Sequence, residues 1–107
     1  MPTITGAGST APGQNWQTYN DGPGIYLDVN TSSAGFNPTL GTPVYTISLG
    51  GSERMWYLAG SSSVYSPTVT GFRVYLRKIA LANEPALTVS DAQQWNLHVN
   101  WIGAQSF

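Results

Sequence analysis

Residues 95–103 read Trp-Asn-Leu-His-Val-Asn-Trp-Ile-Gly. Side chains of an extended chain alternate between two faces. Trp95, Leu97, Val99 and Trp101 therefore fall on one side, and Asn96, His98, Asn100 and Ile102 on the other. The first set is the expected core face of a half-buried strand. The second is uncharged and holds the only histidine of the chain. Period two over nine residues, with no trace of a 3.6-residue repeat, decides for β structure here.

The rest of the chain repeats the pattern. Residues 24–30 set Ile25, Leu27 and Val29 against Tyr26, Asp28 and Asn30; residues 70–79 set Phe72, Val74 and Leu76 against Arg73, Tyr75 and Arg77. Residues 41–51 read as a strand entered through Pro43 and left through a Gly-Gly pair, and 54–60 as a short apolar strand. A weaker extended piece lies at 15–19. Residues 90–94, opening on Ser90 as a cap, suit one helical turn and no more. Six strands joined by Gly, Pro, Ser and Asn clusters predict an all-β fold, a small six-stranded antiparallel β-sandwich. Residues 1–13 are expected to be a flexible lead-in and 14–107 a single domain.

Composition narrows the function. Only nine of the 107 residues are charged, four basic and five acidic, where about a quarter is usual. Four cations make no footprint for nucleic acid or an anionic membrane. Aromatic residues are plentiful, so disorder is not expected. Cysteine is absent, which removes disulfides, thiolate metal sites and thiol nucleophiles. No signal peptide or membrane span is visible. The chain is thus expected to be cytoplasmic, to leave by a non-classical route, or to be cut from a longer protein. A charge-poor, aromatic-rich domain suits an oligomer, a part of a larger assembly, or a binder of neutral polar ligands.

Catalytic chemistry finds little to work with. No Gly-x-Ser-x-Gly elbow accompanies His98, which sits mid-strand between asparagines. One histidine and scattered carboxylates supply no metal cluster, and nothing in the spacing of Asp21, Asp28, Glu53, Glu84 and Asp91 singles out an acid–base pair. No enzyme, cofactor or metal is expected. Trp95 and Trp101 belong to the core face, and Trp16 reads as a core plug. Trp56 and Tyr57 are adjacent, so one of them must leave the core, as a sugar platform or an oligomer anchor. Asp28 and Asn30 lie outward as solvated edge residues or as partners for sugar hydroxyls. Arg73 and Arg77 share a face with Tyr75, either solvated or paired with Glu53 or Asp91 of another subunit.

"TPVYTISLGG" (42–51), "SVYSPTVTGFRVYL" (63–76) and "WNLHVNWIG" (95–103), in this order, resemble the H-type lectins, the family of the snail agglutinins and the discoidin C-terminal domains. "NDGPG" (20–24) is similar to their Asp-Pro-Gly loop. The resemblance covers about residues 40–104. It implies a six-stranded sandwich, a homotrimer, and sugar sites at the subunit seams for galactose or N-acetylgalactosamine. The family uses an acid and backbone from an N-terminal loop, a middle-strand arginine and a Trp-His pair. Ile79-Ala80 stands where that pair belongs, Ala59 near the arginine position, and Tyr26 near the acid. On this basis the candidate carbohydrate-binding residues are Asp21, Gly24, Asp28, Arg54, Trp56, Tyr57 and Arg77. The outward phase of the last strand, Asn96, His98, Asn100 and Ile102, is the expected interface around the three-fold axis. The partners implied are glycans on cell surfaces or glycoconjugates, and further copies of the chain. The competing expectation is a trimeric structural or receptor-binding head of a fibre-like assembly, without a sugar site.

Overall fold

The computed structural model describes residues 3–79 and 85–106. Two antiparallel sheets, one short α-helix and three 3₁₀ turns account for its regular structure. The first sheet has three strands in the order β1 (Thr3–Ser9), β8 (His98–Ser106), β4 (Val44–Gly50). The second is built on β3 (Ile25–Asn30) and β7 (Gly71–Lys78), which pair along their length from Ile25↔Leu76 to Asn30↔Gly71. Short strands β2 (Gln17–Thr18), β5 (Leu58–Ala59) and β6 (Tyr65–Thr68) extend it.

Each long strand buries alternate residues, and the buried sets of the two sheets join in one cluster. Ile25, Leu27 and Val29 of β3 and Phe72, Val74 and Leu76 of β7 meet Ile47 of β4 and Val99 and Trp101 of β8. The apolar phases read from the sequence are the core faces, as expected from the burial of β-branched and aromatic side chains. Trp16 is buried, and its indole N–H donates to the Leu97 carbonyl at 3.0 Å, which pins the segment before β2 to the chain just ahead of β8.

Polar bolts fix the two sheets. The Tyr45 hydroxyl donates to the Thr68 carbonyl at 2.6 Å and is met at 2.7 Å by Thr31, a fully buried residue whose hydroxyl donates back. The ring packs on Phe72 at 4.7 Å between centroids, so β4 of the first sheet reaches the β6–β7 turn of the second. Gln105 is also buried. Its amide oxygen accepts from Asn37 N–H at 2.8 Å and its nitrogen donates to the Asn37 and Gly41 carbonyls. Both groups would be costly to bury without these partners.

Among the described residues the strand count is eight rather than six. Residues 3–9, expected as a lead-in, pair with β8 from Thr3↔Ser106 to Ser9↔Asn100. Their inward side chains are Ile4, Gly6 and Gly8. A β-carbon on Gly6 would strike the Ala34 side chain, and one on Gly8 would lie 2.9 Å from Trp101 Nε1. Hydropathy does not register an inward face made of glycines. In the second added strand, β6, every residue is on the exposed side, so it leaves no alternation to read.

Two elements differ from expectation in kind. Residues 54–60 are not one strand: a 3₁₀ turn, Met55–Tyr57, precedes the two residues of β5. The helix α1 (Val89–Gln94) is longer than one turn and is capped by Thr88, not Ser90. Asp91 N–H donates to the Thr88 hydroxyl while the Asp91 carboxylate accepts from Thr88 N–H, a capping box. The last strand consequently begins at His98, and Asn96 sits in a left-handed turn with φ 55°. No described helix is long and apolar enough to cross a membrane.

Candidate functional site

The outward phase of β7 is Arg73, Tyr75 and Arg77, because Phe72, Val74 and Leu76 take the inward one. Across β3, the register sets Tyr26 beside Tyr75 and Asp28 beside Arg73. On the other flank Tyr65 of β6 faces Arg73. Tyr19, whose N–H donates to the Gly24 carbonyl at 3.0 Å, closes the group from the loop after β2. Three tyrosines thus gather around a fourth, Tyr75. Ring centroids of Tyr19, Tyr65 and Tyr26 lie 5.0, 4.9 and 5.9 Å from that of Tyr75, the first two edge to face. Edge-to-face packing suits the ring quadrupoles and holds the rings in place.

Arg73 is tied down on this face. Its Nε and Nη2 donate to the two Asp28 oxygens at 2.6 and 2.9 Å, a bidentate pair, and the guanidinium lies 4.1 Å over the Tyr26 ring. The Asp28 hydrogen bonds and the Tyr75 hydroxyl hold its proton more firmly than in free arginine. The pair is solvated, so its worth is in fixing geometry rather than in stability.

Two depressions open beside Tyr75. The larger, about 610 Å³, is lined by Tyr19, Pro23, Gly60, Tyr65, Tyr75 and Arg77 among others. The smaller, about 450 Å³, lies toward Asp28, Arg73, Ser66 and Thr68. Rigid rings with hydroxyls at their tips, a tied ion pair and threonine and serine hydroxyls offer an apolar platform with hydrogen-bonding edges.

The residues singled out in the sequence divide among several places. Gly24, Asp28 and Arg77 come to this face. Gly24 precedes β3 at φ 139°, where a β-carbon would strike the Leu76 carbonyl. Asp21 is exposed in the turn before Pro23 and lines neither depression. Arg54, Trp56 and Tyr57 stand apart from it. Tyr57 is buried, and the Arg54 guanidinium lies 5.6 Å from the Tyr57 and Trp95 ring centroids. Trp56 is 82% exposed. One of the adjacent pair does leave the core, through a 3₁₀ turn rather than strand alternation. Arg73 pairs with Asp28 of its own chain, and Asp91 is engaged by Thr88 and, at 3.9 Å, by Lys78.

His98, Asn100 and Ile102 do share one face, the outer side of the three-stranded sheet. The His98 ring lies over Gly50, with Nδ1 3.1 Å from the Asn96 carbonyl, so that nitrogen carries a proton. Asn100 accepts from Ser9 at 2.7 Å and donates to Ser48 at 3.4 Å, a polar ladder across all three strands. β1, β4 and β8 contain no Asp, Glu, Lys or Arg. Val44 and Ile102 are largely exposed there. Asn96 lies off this strand, in the turn, bonded to Ser52 at 3.3 Å.

The tyrosine cluster was not among the expected binding residues, although Tyr26 and Tyr75 stood in the outward phases of their strands. The legible signal was the aromatic residue placed against the core phase in two strands; that the two pair with each other is a fact of register. No family model matches the chain, and no curated protein or solved structure is significantly similar to it. Among the described residues no three His, Asp or Glu side chains group to hold a metal ion.

Proposed function

We propose that the chain is a non-catalytic carbohydrate-binding domain whose glycan lies on the tyrosine face of the second sheet. The carrying observation is the cluster of four tyrosines, three of them packed around Tyr75, with a depression on either side. The C–H faces of a sugar ring stack on aromatic rings, and its hydroxyls need fixed donors and acceptors beside them. The H-type lectin resemblance supports a lectin role and galactose-type ligands. It also supports the homotrimer, with weak sites gaining avidity on a glycan-dense surface. The uncharged outer face of β1, β8 and β4 is the candidate subunit contact, since desolvating it strands no charge.

That same face favours a second reading, a trimeric head of a fibre-like assembly in which the tyrosines carry no ligand. A glycan array on the tag-free protein, with competition by free sugar, separates the two. Under the lectin reading Tyr75→Ala lowers glycan affinity at least about tenfold, the worth of one lost stacking contact of about 1.4 kcal/mol, while the circular-dichroism spectrum is unchanged. An empty array with a folded protein leaves the assembly reading.

A further inference from the structure

The two arginines of the tyrosine face are in opposite states. Arg73 is saturated by Asp28, Tyr75 and the Tyr26 ring. Arg77, two residues on and in the same outward phase, is exposed and has no ion pair or side-chain hydrogen bond with any described residue. Lys78, the next cation, belongs to the inward phase and leans toward α1, against Trp95 and Asp91. Asp28 and Arg73 cancel in the smaller depression, and Arg77 is the one charged side chain among the described residues that line the larger.

The neighbours of Arg77 are small. The β3–β7 register continues to Gly24 on one side, and Ala59 is its β5 partner on the other, with Gly60 next. β-Carbons at Gly24 and Gly60 would strike the backbone of Leu76 and Tyr75. Arg77 therefore has only glycine and alanine beside it on the two flanking strands, and Tyr19 and Tyr75 line the same depression. A free planar fork beside a stacking platform suits a flat anion attached to a sugar ring. Arginine recognises carboxylate through two parallel N–H···O bonds, which a hydroxyl cannot match.

We infer that the larger depression selects a carboxylate-bearing saccharide, a uronic or sialic acid residue, with its ring on Tyr19 and Tyr75 and its carboxylate on Arg77. This rests on the carbohydrate reading above and names the ligand class at that site. It displaces neutral galactose as the preferred ligand.

The test is calorimetric titration with matched pairs: tetragalacturonate and its carboxyl-reduced form, and 3′-sialyllactose and lactose. The expected result is that at least one acidic member binds about tenfold or more tighter than its neutral partner. The preference should shrink as salt rises, and Arg77→Gln should bring the ratio close to one. Arg77 is exposed, so the variant folds, as a thermal melt would verify. Equal binding of both members of the pairs, or a preference unchanged in Arg77→Gln, overturns the inference and leaves the carbohydrate reading in place. A sulfated galactoside preferred over both acids also overturns it, since the anion is then not a carboxylate. Binding to no member of either pair, together with an empty glycan array, removes both.

Discussion

Tyr57 and Trp56 are neighbours in sequence with opposite surroundings, 7% and 82% exposed. The difference follows from the 3₁₀ turn, whose step of about 120° per residue swings one ring inward and the next out. Trp56→Ala should leave stability within about 0.5 kcal/mol of the parent, because little of its area leaves water on folding. Tyr57→Ala should cost about 3 kcal/mol, the usual scale for emptying a buried aromatic site. Urea unfolding of both variants checks this, and similar midpoints for the two would contradict the assigned orientations. The four-tyrosine face works differently. Tyr19, Tyr26 and Tyr65 each pack against Tyr75, so Tyr75, at the centre, matters to the arrangement of all of them.

Strand β1 shows how an element can be held by what it lacks. Its inward glycines leave room for the Trp101 ring and Ala34, and its backbone pairs with β8 throughout. A larger residue there must push the strand off the sheet or bend the neighbours. Gly6→Val is expected to cost about 1–3 kcal/mol through overcrowding. The loss should be concentrated in β1, so amide exchange should speed up at Thr3–Ser9 and at their β8 partners before it does in β3 and β7. Uniform loss of protection would mean that β1 is not a separable edge. The residues that give β1 its place are those that made it unreadable: Thr, Gly, Ala and Ser carry no hydropathy signal, whereas β3 and β7 announce themselves through alternating Ile, Leu, Val and Phe.

The charge of the whole molecule is unevenly placed. The eight charged residues among the described ones all lie outside the three-stranded sheet, and Asp28, Arg73 and Arg77 gather on the outer face of the other. One side is thus suited to contact with another copy and the opposite side to a polar ligand. If the uncharged side forms the trimer, light scattering at low micromolar concentration should give three times the chain mass of 11.5 kDa. Ile102→Lys should give the monomer, because three unpaired ammonium groups would have to be desolvated together. A parent protein that is already monomeric refutes this use of the face. Glycan binding on an array but not to a single soluble sugar would then lose its multivalent explanation, which supplies about 10²–10⁴ in apparent affinity.

The sequence by itself determined that the chain is β-rich, which residues face its core, and that Trp16 fills it. Strand alternation is local, and burial follows from it wherever inward residues are large and apolar. It also placed Tyr75, Arg73 and Arg77 on one face, since that too is a matter of period two. Only the tertiary structure decided who stands beside whom. The register of β3 against β7 brings Tyr26 to Tyr75 and gives Asp28 to Arg73, so that Arg77 has no ion pair among the described residues. The loop of Tyr19 and the exposed strand of Tyr65 complete the group from segments with no periodicity of their own. Alternation along a strand is written in neighbouring residues, but the tyrosine face is made of residues as far apart as 19 and 77, whose meeting depends on strand pairing that no single strand specifies.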